Sequence, residues 1–306
     1  MITGSIWTSG RALALSTVLA ACSGPALTPL QAQYQRGEEQ ALRYHARGEL
    51  LPALQAFQDN LRWAEMADDR PAMVTQALNV GTIALALGQW ALAAWSFEQA
   101  RRVATGLADR NSQIRAQLGL AQVALRRERF GAARAEFQQA LAEARERRDV
   151  AATLVALNGL GLVQKALGEK DAARKNWREA EALARATGEK RLLATTLANQ
   201  AALDLQIGDT RPAVVRLEEA IALDREIENL PGLAQDLALL GRAYEQQGDQ
   251  PGAIQRYRQA RTIARHTRQG AEFQRYDREI DRLERESGGP LQQGQLKSFA
   301  QEGRSE

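Results

Sequence analysis

Residues 150–187 read VAATLVALNGLGLVQKALGEKDAARKNWREAEALARAT, and their layout recurs along most of the 306-residue chain. The bulky residue Trp177 belongs to a series at a constant spacing of 40, which consists of Phe57, Phe97, Phe137, Trp177, Leu217 and Tyr257. An alanine precedes each member by four residues, at Ala53, Ala93, Ala133, Ala173, Ala213 and Ala253. Because residues four apart share one face of a helix, this spacing predicts a helical repeat array.

Two further positions divide each 40-residue unit into a pair of helices. A glycine recurs at Gly48, Gly88, Gly168, Gly208 and Gly248, with Glu128 in the equivalent place of one unit. Seven residues earlier comes a residue without bulk, at Ala41, Gly81, Ala121, Gly161, Ala201 and Gly241. We predict that helices end at the glycines and that the small residues lie where two helices cross closely. The bulky residue of each second helix then fills the space between neighbouring hairpins.

The period therefore predicts an all-α fold of six helical hairpins. The predicted pairs are residues 31–47 with 50–67, 71–87 with 90–107, 110–127 with 130–148, 150–167 with 170–187, 190–207 with 210–227, and 230–247 with 250–267. A final helix at 271–286 carries Phe273, Tyr276, Ile280 and Leu283 on one stripe, as expected of a solvating cap. The predicted domains are the solenoid at 31–268, the capping helix at 269–286 and a flexible tail at 287–306.

The balance of charge argues against a nucleic-acid partner. The chain has 40 Lys and Arg against 37 Asp and Glu, and both signs are interleaved along the predicted helices. Arginine runs at 126–129 and 145–148 each contain a glutamate, whereas a stripe that follows phosphates clusters one sign. We therefore expect a solvated surface of mixed charge and no nucleic acid bound to it.

The sequence contains no recognisable catalytic or metal-binding constellation. The two histidines, His45 and His266, lie more than five repeats apart. Glu218 and Glu219 are adjacent, so on a helix they point about 100° apart and do not converge. Asp224 is expected on a solvated face. We predict that the protein is not an enzyme and uses no metal or other cofactor.

The amino terminus has the three-part layout of a secretory signal. Residues 1–11 are polar and end in Arg11, residues 12–21 (ALALSTVLAA) are apolar, and Cys22 follows at once. An apolar run of ten residues is too short to cross a bilayer as a helix, which takes about 20 residues. We therefore predict a signal peptide at 1–21.

The segment Leu19-Ala20-Ala21-Cys22 resembles the lipobox of bacterial lipoproteins. The resemblance implies lipidation of Cys22, which would become the first residue of the mature chain. With Ser23 rather than an aspartate next, it also implies the bacterial envelope, at the outer membrane facing the periplasm. Residues 22–30 would then be the lipidated amino terminus and a short tether. The alternative is a cytosolic protein with an apolar amino terminus.

The recurring small, glycine, alanine, aromatic and alanine positions resemble the tetratricopeptide repeat (TPR), whose usual unit is 34 residues. A unit of 40 looks like the longer repeats of kinesin light chain, where Leu-Asn-x-Gly recurs, as in Leu78-Asn79-Val80-Gly81. Asn158 lies one residue earlier in its unit, and Ala201 replaces the glycine that would follow Asn199. The resemblance spans residues 31–268 and implies a right-handed α-solenoid whose first helices line the concave side.

By register, a set of polar residues on the first helices is expected to face the concave groove. These residues are Asn79, Thr82, Arg115, Gln122, Asn158, Asn199, Gln206, Arg242 and Gln246, with Leu78, Leu118 and Leu205 between them. Asparagine amides can donate to and accept from the backbone of an extended peptide without reading its sequence. The alternative is that the asparagines pack against their own hairpins.

These patterns predict a non-catalytic scaffold or adaptor for protein–protein interaction. It would be anchored to the bacterial envelope through its lipid and would hold a protein or an extended peptide in the groove. None of the five lysines fits the clamp that TPR proteins use for a carboxyl-terminal carboxylate. The alternative is a cytosolic TPR regulator or sensor that binds a signal peptide or a small ligand.

Overall fold

The computed structural model describes residues 29–287, which form thirteen α-helices and no strand. The helices are α1 Pro29–Ala46, α2 Leu50–Met66, α3 Arg70–Ala86, α4 Trp90–Gly106, α5 Arg110–Arg126, α6 Phe130–Glu146, α7 Val150–Ala166, α8 Lys170–Thr187, α9 Lys190–Gln206, α10 Thr210–Glu226, α11 Leu230–Gln246, α12 Gln250–His266 and α13 Gly270–Ser287. The predicted helices are confirmed, with bounds that agree within two residues. The predicted signal peptide, Cys22, most of the tether and the tail after residue 287 lie outside the described residues.

The turns between these helices repeat one backbone geometry at a spacing of 20 residues. Each turn contains one residue with positive φ, and these are Gly48, Asp68, Gly88, Ala108, Glu128, Arg148, Gly168, Gly188, Gly208, Glu228, Gly248 and Arg268. The turn satisfies the last helical carbonyls, as where the backbone N–H of Gln89 donates to the Ala84 oxygen at 2.9 Å. Glycine adopts this conformation freely, and other residues do so at a cost of about 1 kcal/mol. Six of the twelve turns have a residue other than glycine at this position. Glycine in the sequence therefore identifies only the other six turns.

The bulky series forms the core between hairpins, as predicted. Phe137, Trp177 and Leu217 are fully buried. An added Cβ at Gly161 would lie 2.3 Å from Trp177 Nε1, so no larger residue fits there. The same holds across hairpins, because an added Cβ at Gly119 would lie 2.5 Å from Cε1 of Phe97 in the preceding hairpin. Large and small residues thus interlock within and between hairpins, which fixes the register of the stack.

The stack is an all-α solenoid, and its odd-numbered helices form the inner layer. Every helix packs against the next one along the chain, and further packing joins α3 to α5, α5 to α7, α7 to α9 and α9 to α11. Alternate helices approach each other in this way on the inner side of a curved stack, because that side is shorter. The first helices of the hairpins therefore line the concave side.

The two ends of the solenoid touch each other. Arg268 Nη1, in the turn before α13, lies 3.0 Å from Glu49 Oε1, in the turn before α2. An added Cβ at Gly48 would lie 2.3 Å from the carbonyl oxygen of Thr267, so the backbones of the two turns are in contact. Gly48 and Thr267 are 219 residues apart, which is about five and a half units of 40. The hairpins therefore complete one superhelical turn, and its two ends meet around the concave side.

We expect the substitution Gly48→Ala to separate the two ends, because its methyl group would occupy the space of the Thr267 carbonyl. Gly248 offers a matched control: it has the same positive φ, 81° against 72°, but nothing lies within 4 Å of an added Cβ. In both variants the left-handed alanine costs about 1 kcal/mol. The distance between spin labels at residues 47 and 265, in a Cys22→Ser background, should increase only in Gly48→Ala. Equal distances in both variants would contradict this contact.

Candidate binding groove

A groove of about 910 Å³ lies on the inner face of the solenoid. Helices α5, α7 and α9 supply most of its lining, with Leu85 of α3, Gln235 of α11, and Phe130 and Phe137 of α6 at its margins. Its volume falls in the range of about 300–1,000 Å³ that is typical of ligand sites. The lining combines leucine, valine and phenylalanine side chains with amides and a few charged groups. Such a mixture suits a ligand that has both an apolar and a polar part.

The structure brings some of the predicted groove residues together and leaves others beside the groove. Gln122, Asn158, Asn199 and Gln206 all line it. The remaining predicted residues occupy inner helices next to it: Asn79 and Thr82 on α3, Arg115 on α5, and Arg242 and Gln246 on α11. Thr82 is exposed, and its hydroxyl donates to the carbonyl oxygen of Leu78 at 2.8 Å. Peptide binding by these residues stays a prediction.

The two asparagines at the centre of the groove form a hydrogen-bonded ladder between α7 and α9. Asn158 Nδ2 donates to the Leu154 carbonyl oxygen at 3.1 Å and to Thr196 Oγ1 at 2.9 Å. Asn158 Oδ1 accepts from Asn199 Nδ2 at 3.2 Å. Asn158 is buried and its amide hydrogens are both used, which matches the packing alternative for this residue. Asn199 is only half-buried, so it is the member of the ladder that a ligand can reach.

The leucines expected between the polar groove residues are core residues instead. Leu78, Leu118 and Leu205 are buried, and each belongs to a hydrophobic cluster between helices. Their expected place in the groove was therefore wrong, because these positions face neighbouring helices rather than the open side. The apolar lining comes from other positions, among them Val155 and Leu162.

Lys165 on α7 is a groove residue that the sequence analysis passed over. It lines the groove and is half-buried. Burial lowers the pKa of its ammonium group, and the positive charge of Arg242 on α11 lowers it further. The carboxylate clamp of TPR proteins uses a set of lysines, whereas Lys165 is a single lysine. The sequence spacing could have identified Lys165, because this residue follows Leu162 by three positions and Asn158 by seven on one face of a helix.

The described helices lack two kinds of feature, a membrane-spanning segment and a cluster of metal ligands. Between residues 29 and 287, no helix is long and apolar enough to cross a membrane. In the same part of the chain, no three His, Cys, Asp or Glu side chains gather as ligands of a metal ion would.

Two carboxylates, Asp224 of α10 and Asp236 of α11, are buried between these two helices. Asp224 was expected on a solvated face, but only 2% of it is exposed. Its Oδ1 accepts a hydrogen bond from Asn229 Nδ2 at 2.9 Å, and burial raises its pKa. Asp236 is 4% exposed, and burial, with a smaller effect of the Asp224 charge, raises its pKa to about 8. The expectation for Asp224 was wrong because Gly232 lets α11 approach: an added Cβ there would lie 2.1 Å from Asp224 Oδ2.

Comparison with known proteins supports the repeat assignment. The family model described as "Tetratricopeptide repeat" matches residues 149–226, which cover α7 to α10. A search of the curated proteins found no match to this sequence. The structure is similar to that of a Rap protein complexed with Competence and Sporulation Factor, at 13% identity and a TM-score of 0.64, over 85% of this chain and 76% of that one.

Two further solved structures extend the comparison. One is the Rap conjugation gene regulator of plasmid pLS20 in complex with the Phr* peptide, at 13% identity and a TM-score of 0.62, over 90% of this chain and 80% of that one. The other is BtubC from P. vanneervenii, at 19% identity and a TM-score of 0.52, over 78% of this chain and 91% of that one. At these identities the likeness shows the fold alone, and that fold is an all-α, TPR-like solenoid.

Proposed function

We propose that this protein is a non-catalytic scaffold or adaptor that holds a protein or an extended peptide in its concave groove. The observation that carries this proposal is the groove itself, an open inner surface that combines amide and apolar side chains. The accessible Asn199 and Gln122 can bond to peptide backbone, and Val155 and Leu162 can contact apolar side chains. Two similar solenoids are complexed with Competence and Sporulation Factor and with the Phr* peptide, which supports a ligand of this kind.

The proposal includes attachment to the bacterial envelope, at the outer membrane on its periplasmic side. It is supported by the apolar run at 12–21 and by Cys22, which follows a lipobox-like segment. Two or more acyl chains on one residue give a stable anchor. The first described helix begins at Pro29, seven residues after Cys22. Seven residues reach at most about 25 Å when extended, so the lipid would hold the solenoid close to the membrane surface.

A cytosolic regulator or sensor is the second candidate. The contact between the turns at Gly48 and Thr267 favours it, because breaking this contact would give the coil a second, open shape. A signal peptide or small ligand that binds one of the two shapes better would shift the balance between them. This candidate requires no lipid on Cys22.

The test combines crosslinking and fractionation in a bacterium that produces the full chain. A photocrosslinking residue replaces Thr195, which is exposed in the groove, or Val215, which is 65% exposed on the outer helix α10. We expect a defined crosslinked partner at residue 195 and none at residue 215. We also expect the chain in the membrane fraction and the Cys22→Ala variant in the soluble fraction.

Each result addresses one part of the proposal. Equal crosslinking at residues 195 and 215, or none at either, would contradict binding in the groove. A wild-type chain that is soluble and keeps its original amino terminus would contradict the anchor and leave the cytosolic regulator. A partner trapped at residue 195 by such a soluble chain would keep the groove and change only its location.

A further inference from the structure

From α3 to α11 the inner face of the solenoid carries positive charge without carboxylates, whereas the same register on the end helices α1 and α13 holds Glu39, Glu279 and Glu286. On α3 the inner positions are 75, 79, 82 and 86, and the same places recur 40 residues apart on α5, α7, α9 and α11. Ten of these twenty positions line the groove. None of the twenty is Asp or Glu, and their charged residues are Arg115, Arg126 and Arg242. The whole chain is nearly balanced in charge, so the inner face is set apart from the rest.

The cations at the groove have no carboxylate partner, whereas many arginines on the outer helices do. On the outer layer, Arg185 of α8 pairs with Glu219 of α10 at 2.6 Å. Within residues 29–287, no ion pair joins Arg126, Lys165 or Arg242 to a carboxylate. One acidic residue, Glu128, lines the groove, and it lies in the turn after α5 rather than on an inner helix.

Lys165 and Arg242 together form a site with unsatisfied positive charge. Lys165 is half-buried, and Arg242 lies close enough to lower its pKa. Two like charges near each other in a partly desolvated site repel, and no carboxylate of residues 29–287 lies within ion-pair distance of either one. An anion bound between the two side chains would convert this repulsion into two attractive contacts. In a cleft with low-dielectric walls, such contacts are stronger than on an open surface.

We infer that the groove binds an acidic peptide in an extended conformation, with its carboxylates at Lys165, Arg242 and Arg126. This inference rests on the proposed function and specifies its ligand. The apolar lining at Val155 and Leu162 accepts the side chains between the carboxylates. The peptide is favoured over a single-stranded nucleic acid because none of the twenty inner positions is aromatic. Two phenylalanines of α6 line the groove, but Phe137 is fully buried, so only Phe130 could stack on a base. Sequence-tolerant binding of single strands depends on aromatic side chains that stack on the bases.

Binding of defined probes to the purified full chain tests this inference. One probe is a pool of fluorescent nonapeptides with Asp or Glu at alternate positions and Leu, Ile, Val or Ala between them. The matched pool has Asn or Gln in place of the acids, and a third probe is a single-stranded oligonucleotide of similar length. We expect the acidic pool to bind at least about tenfold more tightly than the neutral pool, with an affinity that falls as salt rises.

Matched variants connect the binding to the named residues. Lys165→Gln and Arg242→Gln should each weaken binding of the acidic pool by about tenfold, since each removes one charge contact in a partly desolvated site. Lys175→Gln, on the exposed side of the outer helix α8, removes the same charge and should leave binding unchanged. Lys165→Glu should reverse the preference, so that a pool with Lys at the alternate positions binds better than the acidic pool. Circular dichroism of each variant checks that the helices remain.

The possible failures are distinguishable. Equal affinity for the acidic and neutral pools would overturn the charge assignment, while crosslinking at residue 195 would still support a groove scaffold. Binding of the oligonucleotide in preference to both peptide pools would overturn the peptide assignment. Equal losses in Lys165→Gln and Lys175→Gln would place the interaction outside the groove. Failure of all probes, together with no crosslinking at residue 195, would reject the proposed function itself.

Discussion

Trp177→Ala is expected to lower the free energy of unfolding by about 3–5 kcal/mol, the range found for large aromatic residues removed from a packed core. Trp177 is fully buried in α8 and packs against Gly161 of α7. Its Nε1 lies 3.4 Å from the carbonyl oxygen of Asn158, so the indole also has a polar contact. Gly161 has no side chain that could move into the vacated space. The cavity would therefore remain, and its cost adds to the lost transfer free energy.

The position of Trp177 adds a second expected effect. In a stack of repeats each hairpin contacts mainly its neighbours, so stability is close to a sum of local terms and interfaces. The contact between the turns at Gly48 and Thr267 is an exception here, and it lies at the ends rather than near Trp177. A weakened hairpin near the middle should uncouple the two halves of the stack. Urea unfolding followed by circular dichroism should therefore change from a single transition to two. Trp95→Ala provides the control, because Trp95 is 50% exposed on the outer helix α4. This substitution should lower the free energy of unfolding by about 0.5 kcal/mol or less. Equal losses in the two variants would contradict this account of the core.

The sequence was sufficient for the fold because one period encodes both the helices and their packing. The interlocked pair of Gly161 and Trp177 recurs with similar pairs along the chain, so each unit repeats the same information. The contact between Glu49 and Arg268 could not be predicted in that way. It depends on the small rotation between successive hairpins, which accumulates over about five and a half units, and no single unit reveals that angle.

The groove was predicted less completely than the fold. Register placed Gln122 and Asn199 correctly on its lining, because the inner helices keep the 40-residue spacing. It placed Leu78 wrongly, because positions only one helical step apart face either the open side or a neighbouring helix. Lys165 was missed because its importance comes from Arg242, which lies two hairpins further along the chain. Such a pair is defined by the curvature of the stack rather than by local sequence.

Asp236→Asn is expected to stabilise the protein near neutral pH, in contrast to most substitutions of buried residues. Asp236 lies in α11, with Asp224 of α10 and Tyr276 of α13 as its titratable neighbours. Burial, and to a smaller extent the Asp224 charge, raises the pKa of Asp236 in the folded state to about 8. In the unfolded chain an aspartate has a pKa of about 3.9. Between these two values the folded protein keeps a proton that the unfolded chain has released.

Folding stability should therefore fall as pH rises from about 4 to about 8, because the folded state binds more protons than the unfolded state in that window. The slope from one such group is at most about 1.4 kcal/mol per pH unit, and it ends above the folded-state pKa. Asparagine has nearly the same shape and does not ionise. At pH 8 we expect Asp236→Asn to be more stable than the wild type by about 2 kcal/mol or more.

Urea unfolding at a series of pH values from 4 to 9 measures both the gain in stability of Asp236→Asn and the slope of stability against pH. Asp236→Asn should remove most of the slope, with a remainder from Asp224, whose pKa is also raised by burial. Asp171→Asn is the control, because the Asp171 side chain is fully exposed, and its curve should follow the wild type. If wild type and Asp236→Asn lose stability in parallel between pH 4 and 8, Asp236 is ionised in the folded protein. Asp236 would then have to be solvated, and the packing around it between α10 and α11 would be wrong.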